Sequence, residues 1–278
     1  MSTKTQAVCV IGWPVEHSRS PLIHNYWIKR HGIAAEYRAE AVRPEDFASF
    51  VGALSERGYV GANITVPHKE NALRLSAPDE QAKAVGAANT LWREDDKLRS
   101  TNTDVEGFLA NLDASAPRWD DGLRQALVLG SGGGACAVVH GLIGRGVKSV
   151  HVTNRNFARA QALAQRFGAA VRPIRWQEIG GHLSTAGLLV NASSLGMQGH
   201  PPLDLRIEKL PANAIVADLV YAPLVTPLVA AARKRALRTA DGLGMLLHQA
   251  VRGFSLWFGV TPKVTAELRT LVEADLTK

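Results

Sequence analysis

The chain has 278 residues, 46% of them apolar and 21% charged, which excludes the disordered and fibrous classes and leaves room for two domain-sized cores. Its formal charge of +7 is scattered, with the densest run at Ala232-Arg233-Lys234-Arg235-Ala236. A nucleic-acid reader would cluster its cations on one face with aromatics between them, so the excess points instead to a mild pull on small anions.

No stretch nears the roughly 20 apolar residues that cross a bilayer. The N-terminal MSTKTQAVCVIGWP has no signal-peptide cleavage pattern, so no membrane span is expected. Cys9 and Cys136 lie far apart in apolar or small-residue settings, which suits reduced thiols and a cytoplasmic location. No Cys/His set has metal-ligand spacing, and no metal is expected.

In chain order, 7–11 reads as a strand ended by Gly12 and Pro14. A helix follows over 20–32, with Ser20 as a cap, Pro21 at the first helical position and Gly32 as the stop. Residues 36–41 form a second strand. Arg43-Pro44-Glu45-Asp46 opens a helix whose apolar residues (Phe47, Phe50, Val51, Leu54) recur near every 3.6, closed around Gly58. The third strand, 61–66, ends in Ile64, Thr65 and Val66; Pro67 stops the ladder and puts His68 and Lys69 just beyond it. Asn89, in GAANT, and Asp104, in STNTDVEG, fall in loop-like settings, where each alone would read as a turn former or cap.

A second β-α alternation starts near Gln125, with strands expected at 149–155, 187–190, 214–219 and 237–240. Helical patterning returns from 242 and continues in a C-terminal helix over 262–276. The alternation argues for α/β architecture with mostly parallel sheets covered by helices. The expected division is 1–106 plus 243–278 for one domain and 107–242 for the other.

Gly130-Ser131-Gly132-Gly133-Gly134-Ala135 fits G-x-G-x-x-[GA] after an apolar strand and before an apolar helix, the context a dinucleotide phosphate loop requires. Glycines admit the pyrophosphate to the backbone, and the helix N-terminus offers it N–H groups. An NAD-binding chain places a carboxylate at the end of the next strand. Here that place holds Asn154, Arg155 and Asn156, with Arg159 one turn on, so the guanidiniums favour a 2′-phosphate and NADP(H). At the other end, Ser18 and Ser20 are two apart. In extended chain both hydroxyls would point one way, suited to a carboxylate, although Ser20 could equally cap the helix.

Nine segments carry a resemblance that runs over nearly the whole chain: HSRSPLIHN, NITVPHK, GAANTLW, NTDVEGF, GSGGGA, TNRNFARA, NASSLGM, DLVYAPLVTPL and DGLGMLLHQA. In order and spacing they resemble the shikimate dehydrogenase family. The resemblance implies an N-terminal α/β substrate domain, a Rossmann-type NADP-binding domain and a cleft between them. It also implies NADPH-dependent reduction of 3-dehydroshikimate to shikimate, on the route to chorismate and the aromatic amino acids, by a monomer or homodimer. Carried over by residue, it gives Ser18 and Ser20 the substrate carboxylate. Thr65, Asn89, Asp104, Tyr221 and Gln249 would meet ring hydroxyls or the reacting oxygen, and Lys69 would be catalytic with Asp104 as partner. Gly130, Ser131, Gly132, Gly133 and Gly134 match the phosphate loop. Asn154, Arg155, Asn156 and Arg159 match the adenosine-phosphate clasp, and Leu219, Gly242 and Met245 the nicotinamide lining.

Two departures stand out: the family's usual Gly-Ala-Gly-Gly-Ala is Gly-Ser-Gly-Gly-Gly here, and its Asn-Arg-Thr is Asn-Arg-Asn. Hydride transfer to a ketone builds charge on its oxygen. A lysine ammonium can stabilise that charge and donate the proton, help worth about 10²–10⁴ in rate. A carboxylate beside a lysine favours its ammonium form and desolvation disfavours it, so the sequence leaves donor and electrostatic clamp both open. His17, His24, His68 and His248 read as local hydrogen-bonding or surface residues. The rival readings are a quinate or aminoshikimate dehydrogenase of broader specificity and a non-catalytic sensor of shikimate-like acids or NADP(H). The sensor should have lost Lys69 or Asp104, and both are present.

Overall fold

The structure is a computed structural model and describes residues 6–277. The chain forms two compact units: one runs to Thr103 and resumes over Gln249–Asp275, the other covers Asp104–His248. These boundaries differ from the expected 106/107 and 242/243. Asp104 already opens a helix of the second unit, and the later boundary falls inside a long helix beginning at Gly242.

The first unit contains strands β1 (Gln6–Gly12), β2 (Ala35–Ala41), β3 (Tyr59–Ile64), β4 (Ala77–Pro78), β5 (Thr90–Glu94) and β6 (Lys97–Thr101) in the order β2-β1-β3-β5-β6-β4. Strand β1 runs parallel to β2 and β3, and β4 parallel to β6, whereas β5 is antiparallel to both neighbours. All of β1 but Gln6 is buried, the continuous apolar run of a central strand covered on both faces. Helices α1 (Ser20–Arg30), α2 (Phe47–Gly52), α3 (Lys69–Arg74) and α4 (Glu80–Val85) connect the strands. Cys9, Ile11, Phe47, Phe50, Ile64 and Leu91 share one core.

Three local expectations change. Strand β3 ends at Ile64, two residues early, yet Thr65 N still donates to Ile11 O (2.9 Å) and Trp13 N to Val66 O (3.1 Å). His68 therefore precedes a helix and Lys69 is its first residue, so the lysine is anchored on α3 rather than in a turn. Residues 90–101, which carry no assignment above, form the β5–β6 hairpin. Its two-residue turn, Asp95-Asp96, has positive φ at both positions (49° and 59°), as a type I′ turn requires. Helix α2 is also shorter than expected and gives way to turns before Gly58.

The second unit holds β7 (Gln125–Leu129), β8 (Ser149–Thr153), β9 (Val171–Ile174), β10 (Leu188–Asn191), β11 (Ile215–Asp218) and β12 (Arg238–Ala240). The sheet order is β12-β11-β10-β7-β8-β9 and every pairing is parallel. This is the doubly wound dinucleotide-binding order, with the chain reversing direction across the sheet between β7 and β10. Its helices are α5 (Asp104–Ser115), α6 (Gly133–Gly144), α7 (Phe157–Phe167), α8 (Ile179–His182), α9 (Pro227–Lys234) and the start of α10 (Gly242–Phe258). The rest of α10 and α11 (Ala266–Leu276) follow. Alternate strand residues face two separate cores. Val128, Val150 and Val190 pack with Val138 and Leu142 of α6, while Leu127, Leu129 and Val216 pack with Ile179, Leu183 and Leu228. Among the described residues no helix is long and apolar enough to cross a membrane.

Candidate active site

In the first unit Thr65 and Asn89 adjoin strand ends, Ser20 and Lys69 open helices, and Gln249 lies within α10. Ser20 is not a cap: it is the first residue of α1, 7% exposed, and its N–H donates to Ser18 Oγ at 3.3 Å. The two serines are thus tied to each other at a helix start, with Ser18 N also donating to Val15 O (2.9 Å). Gly12, ending β1, leaves space for Thr65, because an added Cβ would come within 2.4 Å of Thr65 Cγ2.

Asn89 is buried and its Oδ1 accepts from Thr103 N (2.8 Å), Thr103 Oγ1 (3.2 Å) and Thr90 Oγ1 (3.2 Å). Thr103 Oγ1 also lies 3.3 Å from Gln249 Oε1, so Asn89 and Gln249 share the one hydroxyl proton of this threonine. Ala88 N donates to Lys69 O (2.9 Å), which fixes the backbone of the lysine beside the Asn89 segment. Lys69 is half-buried; Asp104, the chain neighbour of Thr103, is 8% exposed.

Residues without a predicted role complete this cluster. Asn63 in the interior of β3 accepts from Tyr37 Oη (2.7 Å) and donates to Thr90 Oγ1 (3.0 Å) and Asn89 O (3.2 Å). The signal was available: an asparagine inside an otherwise apolar central strand must find partners, since an unmatched buried amide costs about 1–3 kcal/mol. One histidine expectation fails. His68 is a hydrogen-bonding residue, though fully buried, stacked on Phe47 with centroids 4.3 Å apart and its Nε2 2.8 Å from Val42 O. His24 is also fully buried, stacked on Tyr37 (4.3 Å) among Trp27, Phe254 and Trp257. Burial lowers its pKa to about 3, against a smaller upward pull from the Asn63 side chain.

In the second unit the phosphate loop leaves β7 at Gly130, whose φ of +117° suits glycine alone. A Cβ there would also lie 2.6 Å from Ala192 O, while Gly132 and Gly133 have nothing within 4 Å of theirs. The loop is therefore pinned at its base and open at the start of α6, where no side chain caps the helix. Such an end presents N–H groups to an anion. Asn154 Nδ2 donates to Ser131 Oγ (2.8 Å), joining the clasp to the loop. Asn156 serves chiefly as the cap of α7, accepting from Ala158 N (3.1 Å).

Arg155 and Arg159 are exposed and engaged by no carboxylate among the described residues. The donor set fits NADP(H): an open glycine cradle, and two unpaired guanidiniums where an NAD binder carries an acid. Leu219 Cδ2 would lie 3.2 Å from a Cβ at Gly134, and the Leu219 carbonyl 2.4 Å from one at Gly242, so these three predicted residues converge. Met245 is buried in the core against which Leu219 packs.

An all-parallel sheet in this order, with a glycine cradle and an arginine clasp, defines a dinucleotide-binding α/β protein of the dehydrogenase class. Family models for the shikimate dehydrogenase substrate binding domain, shikimate/quinate 5-dehydrogenase and the shikimate 5′-dehydrogenase C-terminal domain match residues 10–91, 117–198 and 242–267. Shikimate dehydrogenase (NADP(+)) from Nitrobacter hamburgensis is 64% identical over 274 residues, covering 99% of this chain and 96% of the relative. Among solved structures, Thermus thermophilus shikimate 5-dehydrogenase in complex with NADP(H) and shikimate is 33% identical with a TM-score of 0.83, covering 98% of each chain. Quinate dehydrogenase from Corynebacterium glutamicum in complex with NAD is 31% identical with a TM-score of 0.90, covering 97% of this chain and 99% of that one. The chain belongs to the shikimate dehydrogenase family.

Proposed function

We propose that the chain catalyses the reversible NADPH-dependent reduction of 3-dehydroshikimate to shikimate, acting in the cytoplasm as a monomer or homodimer. The observation that carries this reading is the Arg155/Arg159 pair, engaged by no carboxylate among the described residues, in a chain 64% identical to a relative named for NADP(+). In this reading the unit of Lys69 and Asn89 is the substrate-binding and catalytic domain, and the unit of Gly130 the NADP-binding domain. Arg155 and Arg159 would hold the 2′-phosphate, and the cradle from Gly130 to Gly134 the pyrophosphate. When bound, the nicotinamide supplies or accepts the hydride.

The residues of the chain do the rest. Ser18 and Ser20 hold the substrate carboxylate with paired hydroxyls. Asn89 and Gln249, locked by Thr103, offer amide groups of fixed orientation to ring hydroxyls, and Thr65 adds a hydroxyl beside Gly12. Lys69 holds a proton at the ketone oxygen as negative charge grows there, and Asp104 orients the ammonium and the same hydroxyl. Anchoring on α3 and the bond from Ala88 N limit how far the base of Lys69 can wander, which spares orientational entropy at the transition state.

The test is an initial-rate assay with shikimate or quinate, each with NADP⁺ or NAD⁺, and Lys69→Ala alongside. Turnover with shikimate and NADP⁺, falling about 10²–10⁴-fold in the variant, is expected. Comparable rates with quinate or NAD⁺ would place the chain with the broader-specificity branch, and a fully active Lys69→Ala would remove the lysine from the mechanism.

A further inference from the structure

Asp218, the last residue of β11, is 2% exposed, and the chemistry above gives it no task. Its Oδ1 accepts from Asn191 Nδ2 (2.9 Å) and Val220 N (3.0 Å), and its Oδ2 from the Thr226 hydroxyl (2.6 Å). One carboxylate therefore grips both ends of the 219–226 loop. Thr226 in turn accepts from Val229 N (3.2 Å) and caps α9, so the far end of the loop is fixed to a helix. Asn191, ending β10, extends the grip to the adjacent loop: its Nδ2 donates to Leu195 O (3.0 Å) and its Oδ1 accepts from Ser193 Oγ (2.7 Å). Gln198 N donates to Ala222 O (2.8 Å), a second tie between the two loops.

We propose that Asp218 is a positioning residue whose carboxylate sets where Leu219 and Tyr221 stand relative to cofactor and substrate. The inference rests on the function proposed above and on the family resemblance, which gives Leu219 the nicotinamide and Tyr221 the substrate ring. Leu219 has no slack, since its backbone closes on Gly242 and its side chain on Gly134. A shift of the loop therefore displaces Leu219 itself, while the cradle keeps its seat on β7. Burying a carboxylate costs free energy that an apolar side chain would not, and desolvation raises this one to about pKa 6 despite three donors. A residue kept only for stability would be expected to avoid that cost. A carboxylate offering two oxygens in fixed directions is what joining two loop ends and a neighbouring strand requires.

The experiment compares the full chain with Asp218→Ala, Asp218→Asn, Tyr221→Phe and Asp218→Ala/Tyr221→Phe. It reads kcat and KM for shikimate, and the Kd of NADPH from its fluorescence. Asp218→Ala is expected to lower kcat/KM for shikimate about tenfold or more while the NADPH Kd stays within about threefold, because the clasp and cradle rest on β7 and β8. Asp218→Asn, which keeps a forked polar group, should recover most of the loss. The double variant should be little worse than Asp218→Ala alone, since a misplaced Tyr221 has nothing left to lose. Should Asp218→Ala fail to fold, Thr226→Val read against Thr226→Ser must show the same loss. A lowered melting temperature with unchanged kcat/KM, or additive effects in the double variant, would overturn the proposal. Wild-type kinetics in Tyr221→Phe would refute the Tyr221 assignment itself, and this inference with it.

Discussion

Arg155 follows β8 by two residues, exposed and engaged by no acidic side chain among the described residues, at the position where dinucleotide binders of this order read the ribose. A hydrogen bond to a charged group contributes about 1.5–3 kcal/mol, which corresponds to roughly 10–150-fold in affinity. Arg155→Ala should therefore raise KM for NADP⁺ at least about tenfold and leave KM for NAD⁺ nearly unchanged, measured with saturating shikimate. Equal effects on both would show that the side chain reads something other than the 2′-phosphate. The adjacent Asn154 argues that the effect stays local, because its bond to Ser131 Oγ holds the loop whether or not the arginine is present.

At the scale of elements, the parts legible in the sequence were those whose signal is local. The glycine turn between an apolar strand and an apolar helix specified β7, the cradle and α6, because only glycine tolerates the backbone at Gly130. The β5–β6 hairpin was missed because Asp95-Asp96 is a weaker turn signal than Asn-Gly or Asp-Gly, and because Thr90 to Thr101 alternates irregularly. Asn63, Thr90 and Thr103 went unassigned because their partners, apart from Asn89 beside Thr90, lie 13 to 146 residues away, on separate strands, loops and a helix that only the fold brings together. Asn156 shows a resemblance and a geometry dividing one residue between two roles: it matches the clasp, yet its side chain caps α7. Asn156→Ala should cost about 1 kcal/mol of stability, the usual worth of such a cap, by urea denaturation. Its effect on KM for NADP⁺ should be much smaller than that of Arg155→Ala; the reverse pattern would make it a cofactor ligand first.

For the whole molecule, buried titratable groups set how stability answers to pH. His24 has a pKa of about 3 in the folded chain against 6.5 when exposed, so its folded form is neutral throughout the physiological range. Its contribution is fully present above pH 6.5. It is lost progressively as pH falls toward 3, because the unfolded chain binds a proton that the folded chain refuses. Asp218 acts in the opposite sense: raised from 3.8 to about 6, its contribution is fully present below 3.8 and disappears as pH rises through 6. His140, His151 and His248, each lowered chiefly by burial, add slopes of the same sign as His24. A single stability curve would therefore mix several titrations, and the difference between two chains isolates one. His24→Phe keeps an aromatic ring against Tyr37 and Phe254 and removes only the ionisable nitrogens. Its stability relative to the parent, from urea denaturation at pH 8, 6.5, 5.5 and 4.5, should be constant above 6.5. Below that it should grow by about 1.4 kcal/mol per pH unit, since the other groups are common to both chains and cancel. A difference independent of pH would mean that His24 titrates alike in both states, so that the aromatic cluster around it opens to water in the folded chain.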